Sequence, residues 1–511
     1  TTVAMPASPP PASDAPHAPP LAPPAPSTRV PWPVFAGAVA LGAWLFAYKL
    51  RSFLGLAYTS DLFQFSQLAT SWLRGHFLVD NCYGDHLSIH TYFFCPLLAA
   101  VVVPFGPAGL LLLLGIALGA QMVGLFKILR HLQLPVPAAA GGAALVSAMP
   151  FSLHVYQDII YGFHVELLVP VLGIWLAYFL LRRSWPGALL TALVLIGVKE
   201  EEPLIAGSIA TMVIAEDFLR TMLDRTAPKR RRWRAGFNLP AFAVLVLALA
   251  AIPVLLHVLR THAPQGYSPG SFGRIRTIDG SSIDQEMGVV AYLLDNGVAW
   301  LKSAQVVKWL GLVLGCTFGL ILLRPHFLLF GVGTTLISWL VQDDLFWSPR
   351  LAPPLAFIEV AAILGLAAAF HGATGKNNQA GRPRRVLGGL TLLVAIAAGL
   401  VWQFRQVPAT ASVYLQSPPQ AVSAEARRQA DELFTQYRQA RRPGEAVIAS
   451  THLFRYADYR SLFWMDRLAG RPTPVWVLWE YDESPAGGAR RDGYRLVGQA
   501  GRFALFRLSS P

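Results

Sequence analysis

The sequence predicts an all-α polytopic membrane domain, about eleven transmembrane helices plus one re-entrant or interfacial helix, with a small α/β extracytoplasmic domain at its C-terminal end. Three observations predict it. Hydrophobic residues fill 54% of the 511 positions and charged residues only 14%, against roughly 25% charged in a soluble domain. Apolar residues come in runs long enough to span a bilayer core of about 30 Å, which takes roughly 20 helical residues. From residue 417 onward the composition changes to a charged, amphipathic pattern.

The runs Pro107–Lys127, Leu239–Leu259 and Val386–Phe404 show the pattern most clearly. Only helices satisfy their own backbone groups when they cross lipid in such runs. The spans read as 33–50, 107–127, 138–152, 164–181, 186–199, 203–219, 238–259, 305–323, 326–341, 350–370 and 386–404. A shorter apolar stretch, 89–104, ends in Pro-Phe-Gly-Pro.

Charge orients the spans. The net charge of +13 is carried by short basic stretches between apolar runs, the pattern of cytoplasmic loops rather than of a nucleic-acid interface. Between Arg220 and Arg234 stand seven basic residues and one acidic. Lys376, Arg382, Arg384 and Arg385 mark a second such loop, whereas 260–304 is balanced with four of each sign. These assignments agree if 89–104 does not fully cross. The N-terminus is then cytoplasmic and residues 417–511 lie outside the cytoplasmic membrane.

The first 32 residues are expected to be a disordered Pro/Ala-rich tail, since such composition cannot form a packed core. The membrane domain is expected over 33–410. Past 417, Ala424–Arg442 reads as an amphipathic helix, and Ala446–Ser450, Val475–Trp479 and Phe503–Leu508 as strands. Trp464, Trp476, Trp479 and Tyr481 are candidates for sugar stacking, with core packing the commoner role for aromatics at this spacing. The cysteines Cys82, Cys95 and Cys316 form neither a zinc pattern nor a disulfide framework.

This topology gathers polar residues on one face. The first outer loop holds Asp61, Gln64, Asp85 and His86, and the second holds Asp158, His164 and Glu166. Lys199-Glu200-Glu201-Glu202-Pro203 lies between two apolar half-runs, and Arg350 precedes the tenth span. Ionisable groups near membrane depth are expensive and normally face a cavity or one another. Plainer roles exist for each. The Lys-Glu stretch also suits a solvated turn before Pro203, and Asp61 suits a helix cap. Asp85, His86, Asp158, His164 and Glu166 have the chemistry to ligate a divalent metal, with no spacing that fixes its geometry. Together the residues suit transfer chemistry at a membrane surface. Asp61 would take a proton as general base, and Lys199 and Arg350 would neutralise a lipid phosphate.

The strings Ser60-Asp61-Leu62-Phe63-Gln64-Phe65, Gly84-Asp85-His86, Gly162-Phe163-His164-Val165-Glu166 and Val198-Lys199-Glu200-Glu201 resemble a bacterial and archaeal membrane family of unknown function, DUF2079. That family is similar in plan to the GT-C glycosyltransferases, whose acidic residue in the first outer loop matches Asp61. The resemblance implies transfer of a sugar from a polyprenyl-phosphate donor, with Asp61, Asp85 and Glu166 as the catalytic acids. Gln64, His86, Asp158, His164, Lys199, Glu200, Glu201 and Arg350 would bind substrate. The chain departs from both patterns: Glu200-Glu201-Glu202 replaces a single acid after the Lys-Glu pair, and Asp61 lacks an acidic neighbour.

Two other classes fit the sequence, an envelope lipid transporter and a noncatalytic scaffold. The first would show inverted repeats and broken helices; no repeat is visible, and 186–219 alone looks like an interrupted pair. Sugar, acceptor and oligomeric state have no readable motif.

Overall fold

The computed structural model describes residues 29–58, 60–81, 84–158, 161–223, 238–262, 304–324, 327, 331, 351–374, 382–406, 422–463, 473–480 and 493–509. The segments 1–28 and 326–341 of the expected organisation therefore lie outside the described residues, apart from Phe327 and Gly331.

Helix α1, Trp32–Leu54, opens behind Pro31 and stops at Gly55, the proline-first, glycine-last arrangement that suits orphaned helix ends. After a short loop comes α2, Ser60–Ser71. Two short strands, β1 Val79–Asp80 and β2 Gly84–Asp85, pair antiparallel beyond it. The 89–104 stretch folds as a 3-10 turn, Cys95–Leu98, running into α3, Ala99–Phe105. The turn and helix together, Cys95–Phe105, rise only about 16 Å at 1.5 Å per residue, about half the depth of the bilayer core.

Helix α4, Ala108–His131, packs closely on α1. A Cβ on Gly42 would lie 2.4 Å from the Gly115 carbonyl oxygen, and one on Gly115 would lie 2.6 Å from that of Gly42. Small residues that let backbones approach are the usual adhesive between helices in lipid, where no hydrophobic drive separates protein from solvent. Gly115→Leu is expected to cost about 3 kcal/mol, the upper range for overpacking, because the obstacle is backbone rather than a movable side chain. Resistance to unfolding in detergent checks this.

The expected span 138–152 is two helices, α5 Val136–Ser147 and α6 Pro150–Gln157, bent by 48°. Pro150 lacks the N–H that would continue the ladder. Ser152 Oγ restores part of the loss by donating to the Val146 carbonyl at 2.9 Å.

There follow α7 Val169–Leu181, α8 Trp185–Ile196, α9 Glu202–Leu223, α10 Leu239–His262, α11 Ala304–Cys316, α12 Ala352–Thr374 and α13 Arg382–Gln406. Inside the bundle, Gln121 of α4 donates to Glu359 of α12 at 2.7 Å, Ser152 Oγ of α6 lies 2.5 Å from the same carboxyl oxygen, and Tyr156 donates to Gln121 at 2.6 Å. Among the described residues, four helices are long and apolar enough to cross a membrane: Trp32–Leu54, Ala108–His131, Leu239–Leu259 and Ala352–His371; the bent pair makes a fifth if it is one span. The chain is an integral membrane protein with a mainly helical membrane domain.

At the C-terminal end, α14 Ala424–Ala440 is capped by Ser423, whose Oγ accepts from the Ala426 N–H at 3.1 Å. It packs on a five-stranded sheet of β3 Val447–Ala449, β4 Leu462–Phe463, β5 Trp476–Glu480, β6 Tyr494–Ala500 and β7 Phe503–Leu508. The order is β4-β3-β5-β7-β6, parallel around β3 and antiparallel around β7. The helix buries Ala430, Leu433, Phe434 and Tyr437, the helical stripe of residues spaced three and four apart. Trp476 is buried against Tyr437, with ring centroids 5.4 Å apart, and belongs to the core.

Residues 452–462 of this region seat on the first loop and α2. Gln67 donates to the Tyr459 carbonyl at 2.6 Å and the Leu462 carbonyl at 2.9 Å. Asn81 donates to Leu462 and Arg74 to Arg460, each at 3.0 Å. The ring of Phe454 meets Phe63 edge-on at 5.4 Å. The helix that carries Asp61 is thus held by residues 454–462 of the C-terminal strand region.

Candidate functional site

Three loop segments come together at the ends of the helices. Asp61 stands in the first turn of α2, where Ser60 Oγ donates to its Oδ1 at 2.8 Å. Its Oδ2 lies 3.2 Å from His164 Nε2. His164 precedes a 3-10 turn, Val165–Leu168, and its Nδ1 makes a close pair with Glu166 Oε2. Glu166 Oε1 is 3.1 Å from Lys199 Nζ, which lies 3.4 Å from Glu201 Oε1. Asp61, His164, Glu166, Lys199 and Glu201 thus form one continuous chain of alternating charge.

Two carboxylate–imidazole pairs flank that chain. Glu200 Oε1 lies 2.7 Å from His90 Nδ1, and its Oε2 accepts the Thr91 N–H at 3.1 Å. Buried Asp80 lies 2.8 Å from His86 Nδ1 and accepts from Gln64 at 3.3 Å. Aromatic rings knit the groups together. Phe65 lies 5.1 Å from the His164 ring and 5.2 Å from Tyr92, which lies 5.0 Å from His90 and 5.2 Å from His86.

Both ring nitrogens of His164 face carboxylate oxygens, so both must carry hydrogens and the ring is an imidazolium. Burial alone would lower its pKa, but Glu166 and then Asp61 outweigh burial and raise it to about 10. Burial likewise pushes Glu200 up, and His90 outweighs it, bringing the carboxyl down to about 2. Lys199 is held above the usual lysine range: burial opposes its charge, while Glu201 and Glu166 favour it more.

The sign of the pH dependence follows. A group whose folded pKa is raised contributes stability that is complete below its unfolded value, near 6.5 for His, and is lost as pH rises through the folded one. The thermal midpoint of the wild type is therefore expected to fall between pH 6.5 and about 10 more steeply than that of His164→Gln. Thermal unfolding of the two proteins across that range checks it.

Other expected site residues stand elsewhere. Asp85 is half-exposed; it caps a short turn through Leu87 N–H at 3.0 Å and pairs with His262 at 2.7 Å, touching none of the chain above. Asp158 is buried behind the site, accepting from the Tyr161 N–H at 3.3 Å. Arg350 lies outside the described residues, as do Cys82, Trp464 and Tyr481. Among the described residues no three His, Cys, Asp or Glu side chains are placed to hold a metal ion. His164, the ring with two carboxylates beside it, spends both nitrogens on them, so this donor set does not fit a divalent ion.

A family profile described as a predicted membrane protein, DUF2079, matches residues 53–456. The chain belongs to the DUF2079 family. The match spans the segments that carry Asp61, His164, Glu166, Lys199 and Glu201, and ends just before Tyr459 and Leu462, which seat on Gln67. No curated protein matches the sequence. Among solved structures, ArnT from Cupriavidus metallidurans bound to undecaprenyl phosphate is similar, at 11% identity and a TM-score of 0.46, over 94% of this chain and 98% of that chain. The apo state of the same protein is similar at 11% identity and a TM-score of 0.39, over 93% and 99%.

Sequence reasoning missed Lys49, Asp80 and His90 in this DUF2079 chain. Lys49 is fully buried near the end of α1 and donates to the Gln157 carbonyl at 2.6 Å and the Gly162 carbonyl at 2.7 Å. A lysine near a helix end ordinarily snorkels to the interface, which is why its position gave no signal. His86 and His90 are four apart, a spacing that could have drawn attention to His90.

Proposed function

We propose that this protein is a membrane glycosyltransferase of the GT-C type, moving a sugar from a polyprenyl-phosphate donor to an envelope acceptor. The observation that carries the reading is Asp61, a carboxylate held by Ser60 and by the His164 imidazolium at the head of a chain of buried ion pairs. Such a group suits general-base work, where a positioned carboxylate is worth about 10²–10⁴ in rate. In this reading Asp61 takes the proton of the acceptor hydroxyl. The freed oxygen pair forms the bond to the anomeric carbon, and the pair of the carbon–oxygen bond leaves on the lipid phosphate. Lys199, which shares its charge with Glu166 and Glu201, and Arg350 are the cations proposed for that phosphate.

The eleven-span topology fits this reading, with a cytoplasmic N-terminus and the C-terminal domain outside the cytoplasmic membrane. Supporting it, the C-terminal domain touches the end of α1 and the loop that leads to Asp61. His452 Nδ1 lies 3.1 Å from the Leu56 carbonyl, and Arg455 reaches that of Leu54.

The test compares glycans and glycolipids of the producing cell with and without this protein, then with a wild-type copy restored. Loss of a specific sugar on deletion, reversed by wild type, is the expected result. A second reading, transport of an envelope lipid, draws on the buried Gln121–Ser152–Glu359 layer at the break between α5 and α6, the placement that intramembrane sites of transporters use. It predicts unchanged glycans and an altered distribution of a lipid between leaflets.

A further inference from the structure

Behind the Asp61–His164 pair lies a second polar cluster that the proposed transfer does not use. It consists of Lys49 and Ser52 of α1, Tyr58 of the following loop, and Gln157 and Asp158 at the end of α6. All five are buried. The ring of Tyr58 sits on Gly162, where an added Cβ would lie 2.5 Å from Tyr58 Cδ2, and Lys49 Nζ stands 5.4 Å from the centre of the same ring.

These groups carry more hydrogen-bonding capacity than they spend. Lys49 has three N–H donors and uses two, on the Gln157 and Gly162 carbonyls. Ser52 stands beside Tyr58 and Tyr48 beside Gln157, yet among the described residues no group meets Tyr58 Oη, Gln157 Nε2 or Asp158 Oδ2 at hydrogen-bonding distance and angle. Leaving one such group unmet inside a protein is destabilising, so three together call for a ligand. Asp158 also adopts a left-handed backbone, φ 34°, that a non-glycine residue rarely takes. Such strain persists where surrounding contacts over-determine it.

The chemistry of the unmet groups decides the ligand class. A metal ion is disfavoured by the Lys49 ammonium and the Gln157 amide hydrogens. An anion is disfavoured by Asp158. A neutral molecule that both donates and accepts satisfies all of them, and buried waters typically make about three such bonds. We propose that Lys49, Tyr58, Gln157 and Asp158 enclose ordered internal water directly behind the Asp61–His164 pair. The assignment stands apart from the glycosyltransferase reading, since it rests on these residues alone.

Hydroxyl-radical footprinting of the full chain in lipid nanodiscs tests it, because radicals born from a bound water oxidise the side chain beside it even when bulk solvent is excluded. Tyr58 is 3% exposed and Tyr156 0%, and Tyr156 is bonded to Gln121, so the two form a matched pair. Oxidation of Tyr58 several-fold faster than Tyr156 is expected, with ¹⁸O appearing in oxidised Tyr58 only slowly after mixing into ¹⁸O water, as the enclosed water exchanges. Tyr58 oxidised no faster than Tyr156 overturns the proposal. Exchange as fast as at exposed Phe77 also overturns it, since the site would then be open to bulk rather than enclosed.

Discussion

Asp61→Asn is expected to lower sugar transfer by about 10²–10⁴-fold, the range for removing a general base, while the protein still reaches the membrane. The asparagine keeps the shape and an oxygen for the His164 N–H, so the loop geometry of 60–61 survives; what disappears is a group able to take a proton. The measurement is the glycan profile of cells carrying the variant in place of the wild type, with membrane expression compared by immunoblot. Full restoration by Asp61→Asn would remove Asp61 from the chemistry and leave the transfer reading resting on other residues.

Lys199→Met is the substitution with the largest expected cost to the fold. Its ammonium lies between Glu166 and Glu201 at 3.1 and 3.4 Å, and its side chain is 12% exposed. Removing one partner of a buried ion pair leaves the other charge uncompensated, typically at about 3–5 kcal/mol. Here two carboxylates lose a neighbour, and Glu166 is left to the His164 imidazolium alone. Chemical unfolding in detergent is expected to shift by that amount. Lys199→Arg, which keeps the charge, is expected to recover most of the stability; if both variants unfold alike, packing of the aliphatic stem rather than charge holds this turn.

Much of the helical frame was legible because lipid enforces simple periodicity. The run at 107–127 became α4, Ala108–His131, and the amphipathic pattern from Ala424 became α14, Ala424–Ala440. What was not legible arises from a proline inside an apolar stretch. Pro150 divides one expected span, 138–152, into α5 and α6. Composition cannot distinguish a bent pair from a straight span.

The site divides along a similar line. Asp61, His164, Glu166, Lys199 and Glu201 were visible as unusual charges at the ends of apolar runs, and the structure joins them. Asp85 was visible for the same reason and stands apart, paired with His262, because loop residues close in sequence need not converge. Lys49 was hidden by a helix that tolerates a terminal lysine on its own. Its significance comes only from carbonyls more than a hundred positions away.

The seating of residues 452–462 on Gln67, Asn81 and Arg74 sets an order of events during synthesis. The ribosome delivers Asp61 early and the clamp that steadies its helix nearly four hundred residues later. Throughout that interval the nascent chain carries its candidate base on an unclamped helix. Maturation of the site is therefore tied to translation of residues 452–462, and a chain cut short between Glu201 and Tyr459 would carry Asp61, His164, Glu166, Lys199 and Glu201 but leave Gln67 unlatched.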